Sequence, residues 1–265
     1  MAVRYGEIFG NAFKYAFSFR RVLPFFILNV LLLGVALFFI DNASMFIADI
    51  GYNYYIGDLL YLMLGFIAFV FVYSLVSLFF VGAIIDDAKH YPRKKNLSKS
   101  FAVAKKKYLS ILLASILVAI ISSIAGYLPF IGWIASIAVT LVFLFVLQFI
   151  IISNKRAIDS LKWSYKLFMK NKADVIIFWI FLAVIGFALL VVALVPIILS
   201  ILPEVIPASQ LYAQGMTDFA SLMALVKSEL SYFAAGSIVA SVVFSYMKVF
   251  QEAATTFFFL QKKKR

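Results

Sequence analysis

Six stretches of this chain run close to 20 residues or longer with almost no charge. That is about the length a helix needs to cross a hydrocarbon core about 30 Å thick. They cover approximately residues 22–40, 59–85, 109–128, 130–152, 175–202 and 231–252. In hydrocarbon every backbone N–H and C=O must find a partner inside the protein, so only helices and closed barrels can span. Long apolar runs without period-two alternation exclude barrel strands. The expected fold class is therefore an all-α integral membrane protein, one helical membrane domain over residues 1–265. Composition points the same way: 65% of residues are hydrophobic, 14% are charged and the mean hydropathy is +1.04. A soluble domain is about half apolar and a quarter charged, and this chain lacks the polar groups to cover a surface in water.

The spans pair into three hairpins. Between the third and fourth lies only Gly126-Tyr127-Leu128-Pro129-Phe130-Ile131-Gly132, with Gly and Pro where a helical hairpin must turn. Val22 to Ile40 follows a long charged, amphipathic lead, unlike the short basic start of a signal peptide, and is read as a retained span. Of the 24 lysines and arginines, 22 lie in segments 1–21, 86–108, 153–174 and 261–265. The opposite-side segments hold Lys227 and the acidic Asp41, Asp49, Asp58, Glu204, Asp218 and Glu229. By the positive-inside rule the basic segments and both termini are cytoplasmic, in the cell membrane.

Each basic segment also carries helical periodicity. Glu7, Asn11, Lys14, Ser18 and Arg21 form a polar stripe beside Ile8, Phe9, Phe13 and Phe17. Leu97, Phe101, Ala104 and Tyr108 share a face, flanked by Lys99, Lys105, Lys106 and Lys107. Ile158, Leu161, Tyr165 and Phe168 share another, with Lys162, Lys166 and Lys170 in an i, i+4 row. Each reads as a basic amphipathic interfacial helix in the headgroup region. A degenerate threefold repeat results: interfacial helix, span, outer turn, returning span. Small residues four apart mark helix contacts, where close backbone approach drives association in lipid. They are Ser115, Ala119 and Ser123; Gly132, Ser136 and Thr140; and Ser237, Ser241 and Ser245.

From Ser98 to Lys172 the chain resembles a family of uncharacterised multi-pass proteins of archaea and bacteria. That family is similar to the membrane domain accompanying some glycerophosphodiester phosphodiesterases. The resemblance is carried by the Leu128-Pro129-Phe130-Ile131-Gly132 turn, the break Ser153-Asn154-Lys155-Arg156, the helix Ala157 to Tyr165 with the span after it, and the end Phe257-Phe258-Phe259-Leu260 before Lys262. It implies the membrane architecture. The sequence contains no stretch like the soluble phosphodiesterase domain, so the resemblance does not imply that activity.

The chemistry available is narrow. There is no cysteine and His90 is the single histidine, which excludes thiolate sites and imidazole-rich metal sites. Asp86 and His90 are at i, i+4 beside Asp87, but no further carboxylate or imidazole completes a site, and a charged helix end before Pro92 is the reading taken. Phosphate-binding glycine loops, nucleophile elbows and zinc-protease motifs are absent. No catalytic residue, metal ligand or cofactor is assigned, and no enzyme activity is expected. The candidate intramembrane polar residues are Asn29, Gln148, Lys248 and Glu252, the last two at i, i+4 on one helix face. The expected placement of that pair is interfacial and partly hydrated. The candidate lipid-surface residues are Lys105, Lys106, Lys107, Lys162, Lys166 and Lys170.

Two functions fit. One is a non-enzymatic membrane protein handling a small solute, ion or lipid. The other is a scaffold or accessory subunit whose basic helices bind anionic lipid headgroups or a membrane or cytoplasmic protein partner. Nucleic acid is not an expected partner, because the positive charge is distributed as a membrane surface requires.

Overall fold

The structure, a computed structural model, describes residues 3–48, 56–92, 97–213 and 230–263. Asp49, Tyr52, Tyr54, Tyr55, Asp218, Lys227 and Glu229, expected on the outer side, lie outside them, as do Arg93 to Lys95, expected on the cytoplasmic side. The described residues are helical throughout their length apart from short turns: α1 (Tyr5–Ala16), α2 (Phe19–Ala48), α3 (Ile56–Lys89), α4 (Leu97–Gly126), α5 (Gly132–Val142), α6 (Val146–Ser153), α7 (Ala157–Lys170), α8 (Lys172–Ala213) and α9 (Leu230–Lys263).

Six stretches are long and apolar enough to cross a membrane: Phe19–Phe39, Leu60–Lys89, Leu97–Gly126, Gly132–Ser153, Lys172–Leu199 and Ala234–Lys263. Their surfaces not covered by protein are apolar, as at Phe71, Val184, Ile198 and Val239. Such a surface is stable only against lipid, and the chain is a multi-pass membrane protein.

The three basic segments do not behave alike. The first and third form separate helices, α1 and α7. The second does not: Leu97 to Gly126 is one continuous helix. Nothing between Tyr108 and Ser110 breaks it, since no Gly or Pro intervenes before Gly126. In α1, Ile8 and Phe9 are buried by protein rather than left for lipid. In α7 the buried face is Ala157, Ser160 and Ser164, while Ile158 and Tyr165 point outward. The small residues let α7 approach its neighbours closely, while Ile158 and Tyr165 of the large apolar face are exposed and Leu161 and Phe168 are half-buried.

The chain divides into two compact units, each described by itself. The first comprises Met1–Val22, Leu75–Phe187 and Tyr246–Arg265. Its core is aromatic. Phe9 stacks on Phe178 (ring centroids 5.6 Å apart), Phe13 meets Phe250 at 4.4 Å, Phe178 stacks on Phe258 at 4.4 Å, and Phe149 meets Phe259 edge-on at 4.8 Å. The α4–α5 hairpin belongs here. A Cβ on Gly132 would lie 2.2 Å from the Gly126 carbonyl oxygen, so that turn closes only around glycine. Of the expected small-residue contact on α4, Ala119 and Ser123 are uncovered. The hairpin instead touches through Ser136, whose hydroxyl donates to the Ser122 carbonyl at 3.4 Å.

The second unit comprises Leu23–Ser74 and Ala188–Ser245. Here the α9 stripe packs as expected: Gly236, Ser237, Ala240, Ser241 and Ser245 are buried. The Ser241 and Ser245 hydroxyls donate back to the Ser237 and Ser241 carbonyls, at 2.8 and 2.6 Å, which hides their polarity.

Candidate functional site: a polar cavity at a broken helix

The fourth apolar stretch, expected to run unbroken over 130–152, is interrupted. The α-helix stops at Val142 and resumes at Val146. No Pro or Gly lies in Phe143-Leu144-Phe145. The break comes from a side chain inserted from α7. The Ser164 hydroxyl donates to the Val142 carbonyl at 2.7 Å and accepts the Phe145 N–H at 3.3 Å. A tight Val146 N–H to Phe143 carbonyl bond of 3.2 Å completes the turn.

Beside the break lies a cavity of about 390 Å³. Phe143, Leu144 and Leu147 form its apolar wall, Ser115 and Ala119 of α4 face it, and α9 supplies Gln251, Glu252 and Thr255. Gln148 lines it from α6 and is 1% exposed, and its Oε1 has no hydrogen-bond partner. Glu252 Oε1 is 3.1 Å from Lys248 Nζ; the glutamate side chain is 15% exposed and the lysine 41%. Thr255 Oγ1 is committed to the Gln251 carbonyl at 2.8 Å. Gly186 of α8 leaves room for Gln251, because a Cβ there would come within 3.2 Å of its Nε2. The polar side chains lining the cavity are Ser115, Gln148, Gln251, Glu252 and Thr255, and Glu252 is the one carboxylate among them. They suit a ligand that brings hydrogen-bond donors or positive charge.

The structure thus brings together Gln148 and Glu252, with Lys248 attached through its ion pair. Asn29 belongs to the second unit, where its Nδ2 donates to Ser245 Oγ at 2.8 Å and its Oδ1 accepts from Tyr73 at 2.7 Å. Both ends of the amide are engaged between helices, which makes Asn29 a packing residue.

Among the lysines, Lys105, Lys106, Lys162, Lys166 and Lys170 are exposed. Lys107 is half-buried. Its ammonium turns inward to the Ile150 carbonyl, at 3.0 Å, and to Asn154 Oδ1. It caps the carboxyl end of α6, where Asn154 adopts the left-handed conformation at φ 57°.

A second polar cluster was not anticipated. Asp86 and Asp87, expected at an exposed helix end, are both buried. Asp87 Oδ2 accepts from the Tyr15 hydroxyl and from Arg21 Nε, each at 2.8 Å, and the guanidinium lies 3.8 Å above the Tyr15 ring. Burial, reinforced by the Asp87 charge, pushes the Tyr15 phenol far above its ordinary value near 10. His90 Nδ1 lies 2.8 Å from the Asp86 carbonyl oxygen. Among the described residues no three His, Asp or Glu side chains converge as metal ligands. No protein-family model, no curated protein and no solved structure matches this chain.

Proposed function

We propose that this membrane protein handles a small polar or cationic solute without chemical conversion, and that the cavity beside the α5–α6 break binds it. The observation carrying this reading is that the buried Gln148, whose Oε1 has no hydrogen-bond partner, and Glu252 line one cavity. Leaving such an acceptor unsatisfied costs about 1–3 kcal/mol, which a ligand's N–H or O–H recovers. Broken helices lining a cavity are a recurrent way for membrane proteins to expose polar groups at depth. In this reading the protein sits in the cell membrane with both termini cytoplasmic, supported by the 22 of 24 basic residues that fall in the segments assigned to that side.

The test is uptake into liposomes holding the purified protein, with a panel of inorganic cations, amines and neutral polar solutes. Flux or binding above empty vesicles, reduced at least about tenfold by Gln148→Leu and by Glu252→Gln, is the expected result, equivalent to about 1.4 kcal/mol per group. A panel with no signal, or a signal indifferent to both changes, would remove the cavity from consideration.

The scaffold alternative has its own support in α7, where Ile158, Tyr165 and Met169 are uncovered by protein and flanked by Lys162, Lys166 and Lys170. A helix of this kind lies well in the headgroup region.

A further inference from the structure

A second concavity in the first unit has the opposite electrostatics. Its volume is about 430 Å³, and it lies where the end of α6, the length of α7 and the end of α9 meet. Five lysines line it, Lys155, Lys166, Lys170, Lys262 and Lys263, and no acidic side chain does. Lys262, 1% exposed, is neutralised from behind by Asp174. The other four carry net positive charge into one cleft. Convergent ammonium groups repel one another, so the arrangement favours any anion that enters.

The cleft is also built rather than merely charged. Lys155 and Lys166 sit 4.9 and 5.2 Å from the centroid of the Trp163 ring, which holds both cations against one indole. Lys263 Nζ donates to Ser153 Oγ at 3.0 Å, which fixes its direction. Asn171 at the mouth is held by its bond to the Leu167 carbonyl, at 3.0 Å. Beneath the lysines the floor is apolar, formed by Phe149, Leu167 and Phe259. A small inorganic ion would use the lysines and ignore the floor. An amphiphile with an anionic head and an apolar body uses both.

We propose that this cleft is a binding site for an anionic phosphate group, with the headgroup of an anionic phospholipid as the occupant that its charge and floor together fit. Basic pockets between membrane helices recognise anionic headgroups by this chemistry. The inference deepens the lipid-binding alternative by giving it a discrete site. It involves none of the residues around Gln148.

Trp163 provides the reporter. The chain has three tryptophans, and Trp133→Phe with Trp179→Phe leaves the one in the cleft. The full-length protein in phosphatidylcholine nanodiscs is titrated with bromine-labelled phosphatidylglycerol or bromine-labelled phosphatidylcholine. The expected result is quenching of Trp163 at about tenfold lower mole fraction of the anionic lipid, the order that a few lysines near a headgroup supply. Lys155→Gln with Lys166→Gln and Lys263→Gln should bring the preference to about twofold or less. Lys263→Gln alone, at an exposed position, should lower it about threefold and covers the case in which the triple variant does not fold. Lys14→Gln with Arg20→Gln and Lys89→Gln removes the same charge at exposed positions outside the cleft and should leave the preference standing. Relief of quenching by inorganic phosphate at constant ionic strength would assign the site to a soluble phosphate; no relief assigns it to the lipid. Equal loss from the cleft and control variants would overturn the cleft while leaving diffuse surface binding intact. Equal quenching by both lipids would overturn both.

Discussion

The Ser164 hydroxyl donates to the Val142 carbonyl at 2.7 Å, and through that bond a helix lying alongside holds open a gap in a membrane span. The same oxygen accepts the Phe145 N–H. Ser164→Ala therefore strands a part-buried carbonyl and a buried amide at once, and the buried loss costs about 1–3 kcal/mol. Thermal unfolding in detergent should show a clear drop in midpoint for Ser164→Ala. Ser160→Ala, on the same face but bonded only to the Ala157 carbonyl of its own helix at 2.6 Å, should show a small one. Equal effects would mean the break does not depend on Ser164.

The Tyr15–Asp87–Arg21 cluster predicts strong energetic coupling. Asp87 is buried and meets both partners at 2.8 Å. Removing one member of a buried ion pair costs about 3–5 kcal/mol, because the other charge is left without compensation. Arg21→Met should thus destabilise severely, and Arg21→Met with Asp87→Leu should recover much of the loss. A double-mutant cycle with no interaction energy would show that the cluster is solvated in the working protein.

Tyr15 also predicts a pH dependence. Burial, then Asp87, raise its phenol pKa in the folded protein above the ordinary 10. A raised folded value means the contribution to stability is complete below about pH 10 and declines as pH climbs toward the folded pKa. Ultraviolet titration should find a tyrosine that stays protonated while exposed ones ionise, and that is lost in Tyr15→Phe. Tyr15→Phe should lower stability at neutral pH, by about 1 kcal/mol for the lost hydroxyl bond. It should also flatten the fall in stability between about pH 10 and 12. An unchanged alkaline slope would contradict the assignment.

Topology can be tested on residues that the structure describes, because the chain has no cysteine background. Tyr127 stands exposed on the α4–α5 turn and Lys170 is exposed at the end of α7. Tyr127→Cys should label from outside intact cells, and Lys170→Cys only after permeabilisation. The reverse pattern would invert the proposed orientation and place the lysine cleft on the outer face.

How much of this was legible in the sequence follows from the physics of each feature. The six spans were, because hydrocarbon demands long apolar runs and nothing soluble imitates them. The Gly126–Gly132 turn was, because only glycine lets the two backbones approach so closely there. The break at Phe143–Phe145 was not: it contains no helix-breaking residue, and its cause is Ser164, about 20 positions along the chain. The small face of Ala157, Ser160 and Ser164 was a usable signal, masked by the larger apolar face that proved to point outward. Asp86 and Asp87 read as a charged helix end because the partners of Asp87, Tyr15 and Arg21, come from a distant part of the sequence. Gln148 and Glu252 were each identifiable as polar residues in a span. That they share a cavity depends on how α6 and α9 pack within the first unit, which spacing along one chain does not encode.

The Lys248–Glu252 pair yields the sharpest remaining prediction. Placement of both groups in a hydrated interface would make each single change nearly silent, since a solvated pair contributes about 1 kcal/mol or less. The two sides of the pair are unequal, however. Glu252 is 15% exposed on the wall of the cavity, whereas Lys248 is 41% exposed. Lys248→Met therefore leaves a largely covered carboxylate without its cation. Glu252→Gln leaves an ammonium that can turn outward along its flexible stem. The expected outcome is asymmetric: a distinct loss of thermal stability for Lys248→Met, little for Glu252→Gln, and recovery in the double variant, where no charge remains to be stranded. A cation that binds at Glu252 should also stabilise Lys248→Met more than the parent, because it replaces the missing ammonium, and the midpoint shift should grow with its concentration. Two equal and small losses would restore the hydrated-interface placement and separate Glu252 from Gln148 as a site.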